Sequence, residues 1–117
     1  MNTRTVGTAW EEAASRALTE AGLEILETNY RKRIGEIDIV ARDGEYIVFV
    51  EVKYRSHKNQ GGALWAISAA KQQKIVRVAQ WYMAEHGIRV DAPVRFDAVV
   101  IDGGNVRHIR NAWQIRN

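Results

Sequence analysis

Gly35-Glu36-Ile37-Asp38-Ile39-Val40-Ala41-Arg42-Asp43-Gly44-Glu45-Tyr46-Ile47-Val48-Phe49-Val50-Glu51-Val52-Lys53-Tyr54-Arg55 is the stretch that decides the fold. Ile37, Ile39, Val40 and Ala41 form one apolar run. Tyr46 to Val52 form a second, rich in the β-branched and aromatic residues that strands favour. Asp43-Gly44 between them suits the two central positions of a type I′ turn, so the spacing predicts an antiparallel hairpin. With that loop, Arg42 pairs with Glu45, Glu36 falls opposite Glu51 and Asp38 opposite Phe49. Side chains alternate faces along a strand, which puts Glu36, Asp38, Glu51 and Lys53 on one face. Opposite Cβ atoms lie about 5 Å apart and diagonal ones about 7–8 Å, and like charges so placed destabilise a sheet. A cation seated among the carboxylates removes the conflict. The alternative is a solvated strand face, which also alternates charged and apolar residues. The apolar run around Glu51 predicts a central strand, where an unpaired charge is expensive, and this weighs toward a metal site.

The length of 117 residues suits one domain, 1–117, with one core. Hydrophobic residues at 46% and charged residues at 26% place it with ordinary globular chains. No apolar run is long enough to span a bilayer, and Met1-Asn2-Thr3-Arg4 leads into helical sequence without a secretory-type apolar stretch. The absence of cysteine excludes disulfides and thiolate zinc sites, and a cytoplasmic location is expected. A net charge of +3 permits a polyanionic partner.

Outward from the hairpin, Gly7 to Gly22 reads as an amphipathic helix with Trp10, Ala14, Ala17 and Ala21 on one stripe. Glu11 lies in its first turn, where a carboxylate also favours the helix dipole. Leu23 to Thr28 reads as a first strand. Tyr30-Arg31-Lys32-Arg33 then enters the hairpin, its cations suited either to phosphate contacts or to a solvated connection. Tyr54 to Gly62 is polar and glycine-containing, a loop at the mouth of the acidic patch carrying Arg55 and Lys58. His57 within it has no spaced histidine partner and is expected at the surface. Ser68 caps a long helix to His86, closed by Gly87, with Ile75, Val78, Ala79 and Tyr82 as its buried stripe. One turn before that stripe stands Lys71, which either reaches the acidic patch or a bound phosphate, or snorkels outward. Lys74 and Arg77 extend a basic strip, while Trp65 and Trp81 are expected to pack. Arg95 to Ile101, a turn at Asp102-Gly103-Gly104-Asn105, and Val106 to Ile109 supply two more strands. Helix, three strands, helix, two strands: the order predicts an α/β or α+β domain around a mixed central sheet.

Gly35-Glu36-Ile37-Asp38-Ile39 followed by Phe49-Val50-Glu51-Val52-Lys53 resembles the PD-(D/E)xK nuclease motif. More narrowly the chain resembles the YraN family, small bacterial proteins regarded as endonuclease-like and similar to archaeal Holliday junction resolvases. The likeness extends to Gly7 and Glu11, Asn29-Tyr30-Arg31, Lys71-Gln72 and Arg95-Phe96-Asp97. Trp10 and Ala63 depart from it, standing where the family usually has a glycine and a proline. The resemblance implies a restriction-endonuclease-like fold with about five strands. It implies metal-dependent hydrolysis of nucleic-acid phosphodiesters, with DNA, branched forms included, as the expected substrate. Asp38 and Glu51 are then ligands of Mg²⁺ or Mn²⁺, Glu36 and Glu11 assist, and Lys53 contacts the nucleophile or the phosphate. Arg31, Lys32, Arg33, Arg55, Lys58, Lys71 and Lys74 are the expected nucleic-acid contacts. A homodimer is implied by the similar resolvases. The rival readings are a non-catalytic nucleic-acid binder with the nuclease fold and a protein-interaction module.

Overall fold

The hairpin periodicity and the helix caps resolve into α1 (Thr3–Glu20), β1 (Glu24–Lys32), β2 (Gly35–Asp43), β3 (Tyr46–Arg55), α2 (Ala69–Glu85), β4 (Val94–Asp102) and β5 (Asn105–Trp113). The computed structural model describes residues 3–55 and 67–114, the side chains of residues 3–8 and of Arg55 excepted. The five strands form one sheet in the order β1-β2-β3-β4-β5. Its neighbours are antiparallel except β3 and β4, which run parallel. Parallel strands need a crossover, and α2 provides it. The expected α+β architecture, a mixed sheet with an N-terminal helix and a long helix after the third strand, is the one observed.

Each helix covers one face of the sheet. Ala14 and Leu18 of α1 pack on Ile39, Ala41, Val48, Val50, Val99 and Ile101. Ile75, Val78, Ala79 and Tyr82 of α2 pack on Tyr30, Ile37, Val40, Ile47, Phe49 and Phe96. β3 is thus buried on both sides, as its unbroken apolar run demands. The α1 stripe differs from the alanine series read from the sequence. Leu18, four residues after Ala14 and so on the same side, takes the core position, and Ala21 is exposed. Trp10 is half-buried and stacks on Tyr54 of β3, ring centroids 4.0 Å apart. In α2, the Ser68 hydroxyl accepts the Lys71 amide, and the four buried residues are those of the expected stripe. Trp81 differs from expectation: it is 53% exposed, because its neighbour Tyr82 holds the core-facing position.

The hairpin turn also differs. Asp43 pairs with Tyr46, so Gly44 and Glu45 are the loop residues and the register shifts by two from the one expected. Gly44 has φ 61° and Glu45 does not share the left-handed region, the pattern of a type II′ turn. Asp43 is thereby left in the strand, where its carboxylate takes Arg95 and Arg110, each at 2.9 Å.

That contact belongs to a network that ties the hairpin to the far strands. Asp97 of β4 is fully buried. Arg95 grips it with two hydrogen bonds of 2.9 Å, His108 Nε2 lies 2.7 Å from Oδ2, and the Asn111 amide donates to Oδ1 at 2.9 Å. Asn111 (φ 55°) sits where the β4–β5 ladder jumps from Phe96↔Trp113 to Ala98↔Ile109. Burial pushes the Asp97 carboxyl up, but His108, Arg95 and the Asn111 amide outweigh it and hold it below the usual carboxylate range. Removing one partner of a buried pair leaves the others unmatched, so Asp97→Ala is expected to lower unfolding free energy by about 3–5 kcal/mol in urea titrations. A loss under about 1 kcal/mol, the range of a surface ion pair, would contradict this structural role.

Candidate metal centre

The site forms where the β2–β3 ladder stops. Pairing runs from Asp43↔Tyr46 to Ile39↔Val50. Beyond that rung β2 continues against β1 through Gly35, and β3 continues against β4 through Arg55. The Val52 amide donates instead to the Asp38 carboxylate, at 2.8 Å from Oδ2.

Asp38 also marks a break in the alternation of β2. Ile39 and Ala41 pack under α1, whereas both Ile37 and Val40 pack under α2. Opposite the break, β1 carries Asn29 at φ 55°, and the ladder skips from Thr28↔Ile39 to Tyr30↔Ile37. Asparagine enters the left-handed region more readily than most residues, which suits it to this position. The consequence is that Glu36 and Asp38 turn toward α1. One oxygen each from Glu11, Glu36 and Asp38 lie within 4.8 Å of one another. Asn29 steadies the group by donating to Glu11 Oε1 at 3.0 Å. The single-face grouping expected from strict parity is therefore replaced by two half-sites. Val52 packs with the α1 cluster, so Glu51 and Lys53 project to the α2 side. There the buried Glu51 meets Lys71, Nζ to Oε2 3.0 Å. Asp38 lies between the halves.

Electrostatics follow from this crowding. Burial, then the Glu51 and Glu36 carboxylates, push the Asp38 carboxyl up to about 8, against the pull of the Val52 amide. The Lys71 ammonium, hydrogen-bonded to Glu51, is held charged above its ordinary range. Three converging carboxylates are hard oxygen donors, the set that suits Mg²⁺ or Mn²⁺. A dication in place of the Asp38 proton would relieve the same repulsion, so the residues fit such an ion. A cleft of about 470 Å³, lined by Glu11, Glu12, Ser15, Arg16 and Thr28, opens beside the cluster.

Around this centre, Arg31 Nε lies 3.3 Å from Glu36. Lys32 pairs with Glu85 and stands over the rings of Tyr30 and Trp81. Arg33 and Lys74 are exposed. Gly35 passes so close beneath α2 that a Cβ there would stand 3.4 Å from Val78 Cγ2. Of the loop expected over Tyr54 to Gly62, Tyr54 and Arg55 instead belong to β3, which runs on against β4. The side chain of Arg55 and the remaining residues 56–62, His57 and Lys58 among them, lie outside the described residues, as does Trp65. Asn29 is the site residue to which pattern reading gave no role; its signals are an asparagine amid strand-forming sequence and its place in the stretch Asn29-Tyr30-Arg31 that shares the family likeness.

Fold and site define a small α+β protein with a carboxylate cluster at the fork of its sheet. The family described as "Uncharacterised protein family UPF0102" matches residues 10–101, and the chain belongs to it. A UPF0102 protein of Alkalilimnicola ehrlichii is 45% identical over 92% of this chain and 85% of its own length. One from Desulforapulum autotrophicum is 46% identical over 93% of each chain, and one from Legionella pneumophila is 42% identical over 88% and 89%.

A raised carboxyl pKa means that the folded state takes up a proton between the unfolded value, 3.8, and about 8. Asp38 therefore contributes stability that is fully present below the unfolded value and lost as pH rises through about 8. An asparagine keeps an acceptor for the Val52 amide without the charge. In chelator-treated protein, Asp38→Asn is expected to raise Tm most above pH 8 and progressively less toward pH 4, an advantage read from paired melts. A pH-independent difference would refute the assignment.

Proposed function

We propose that this protein is a divalent-metal-dependent nuclease that hydrolyses phosphodiester bonds of DNA. The observation that carries the reading is the convergence of Glu11, Glu36 and Asp38 within 4.8 Å, next to a buried Glu51 that already holds an ammonium group. Asp97 is a structural acid wrapped by donors on both oxygens; here four carboxylates, each with a single donor or cation among the described residues, are pressed together. A carboxyl perturbed by crowding, as that of Asp38 is, beside a cleft is a mark of functional sites. The resemblance of Glu36-Ile37-Asp38 and Glu51-Val52-Lys53 to the PD-(D/E)xK motif supports the same chemistry.

Bound Mg²⁺ or Mn²⁺ would neutralise charge developing on the scissile phosphate and lower the pKa of an attacking water. Glu11, Glu36 and Asp38, with Glu51, are the residues that would hold the ion. Lys71, whose pairing with Glu51 favours its charged form, supplies a positive charge to a phosphate oxygen. Lys53, on the same side of β3 as Glu51, orients the water or the phosphate. Arg31, Arg33 and Lys74 offset the repulsion between the acids and an approaching polyanion.

Calorimetric titration with Mn²⁺ needs no assumption about substrate. The wild type is expected to bind saturably and Asp38→Asn to lose that binding together with cleavage of linear, flapped and four-way-junction DNA. Lys53→Ala is expected to keep Mn²⁺ binding but slow cleavage about 10²-fold or more, the contribution of a positioned proton-transfer or orienting group. Full activity in Asp38→Asn would sink the proposal. Salt-sensitive DNA binding without metal-dependent cleavage would identify a non-catalytic binder instead.

A further inference from the structure

Trp81 is an outlier of this surface. It is the most exposed of the described aromatic side chains, at 53%, although tryptophan is ordinarily well buried. Its surroundings carry more cations than acids: Glu85, one turn further along α2, is matched by Lys32, which leaves Lys74, Arg77 and Arg33 in excess. At 100° per residue, Lys74, Arg77 and Trp81 line one flank of α2, beside the stripe that enters the core. All three are exposed, and neither Lys74 nor Arg77 makes an ion pair among the described residues. The β1–β2 turn runs along this flank. Lys32 places its ammonium 5.6 Å from the Trp81 ring centroid, and Gly35 passes beneath Lys74. Arg33 and Ile34, the two residues of that turn, are both exposed. The flank begins at the candidate metal centre, since Lys71, one turn before Lys74, grips Glu51. From Lys71 to Trp81 is ten residues of helix, about 15 Å, the span of about four stacked nucleotides.

We infer that this flank is a track for an unpaired nucleic-acid strand, with Trp81 as the ring on which one base stacks and Lys74, Arg77 and Arg33 as its phosphate contacts. The inference rests on the reading of the chain as a protein that acts on nucleic acid, and it narrows the substrate class to molecules with a single-stranded segment next to the scissile bond. Bases inside a duplex already stack on their neighbours and cannot take a lone ring. An unpaired base offers its face to any exposed aromatic, whatever its sequence, while the cations follow the backbone. An exposed tryptophan with Lys74, Arg77 and Arg33 on its flank has the chemistry of a base platform, the ring offering a face to a base and the cations a partner to the backbone beside it.

The test is the affinity of the full chain for a labelled oligothymidylate and for a blunt duplex, read by fluorescence anisotropy. Trp81→Ala and Trp81→Leu are expected to weaken oligothymidylate binding about fivefold or more, the range of one base–aromatic stack, and to leave duplex binding within about twofold. Trp81→Phe, which keeps a ring, should retain most of the affinity. Replacing both Lys74 and Arg77 by alanine should flatten the salt dependence by about 0.7 in logarithmic slope per lost phosphate contact. Unchanged oligothymidylate binding in both ring-less variants, an equal loss for duplex, or no binding by the wild type would each overturn the track. Trp81-dependent binding without metal-dependent cleavage would uphold the track and remove hydrolysis alone.

Discussion

The structure turns on one substitution of a side chain for a main-chain group. At the rung after Ile39↔Val50 the Val52 amide finds the Asp38 carboxylate, and the two strands part. A buried amide without a partner is costly, so the carboxylate both ends the ladder and satisfies the donor it leaves behind. The break in alternation at the same residue sends Glu36 toward α1, while β3 keeps its period and sends Glu51 toward α2. Acids from the two faces of the sheet thus meet at a single fork, and Asp38 belongs to both.

Two aspartates, Asp97 fully buried and Asp38 half-buried, show how differently one fold treats the same chemical group. Asp97 is wrapped by a guanidinium, an imidazole and a backbone amide, and its carboxyl is held below the usual range. Asp38 has one amide donor and two neighbouring carboxylates, and its carboxyl is pushed up to about 8. The first arrangement stabilises: it joins β4, β5 and the tip of the β2–β3 hairpin through Asp43 and Arg95. The second is repulsive when Asp38 is ionised and persists because the surrounding packing over-determines it. Phe49, Val48 and Val50 lie directly before Glu51 with no exposed surface, and the Asp97 network holds the hairpin from its other end. Rigidity supplied at one end keeps the acids crowded at the other.

Much of this was legible in the residues. Continuous apolar sequence from Ile47 to Val50 announced a central strand, Ser68 and Gly87 bracketed α2, and Ile75, Val78, Ala79 and Tyr82 gave its buried side by periodicity alone. What periodicity could not supply were its own interruptions. Strict alternation placed Glu36 and Asp38 with Glu51, because nothing in a run of strand-forming residues announces a left-handed Asn29 opposite Asp38. The turn was displaced by one residue, since Asp43-Gly44 and Gly44-Glu45 differ only in which residue is free to keep pairing; the tertiary pull of Arg95 and Arg110 on Asp43 decides it. Trp81 was misplaced for a related reason. Hydrophobicity predicts burial on average, but the helical angle had already given the core position to Tyr82.

The charge distribution completes the physical picture. A net charge of +3 is too small to attract a polyanion to an acidic cluster if cations are spread evenly. They are not. Lys32 at the end of β1 faces α2, Arg33 follows in the turn, and α2 brings Lys71, Lys74 and Arg77 alongside at intervals of three residues, close to one helical turn, while Arg31 stands on the other face beside Glu36. The spacing that buries Ile75 and Val78 also aims Lys71 at Glu51, so the core stripe and the approach to the site are set by one periodicity. Lys71 is therefore pinned at the acids' edge by the packing of the helix that carries it. On the proposed function, a phosphate arriving there would meet a positive charge already oriented by its ion pair with Glu51, which costs less than ordering a free side chain on arrival.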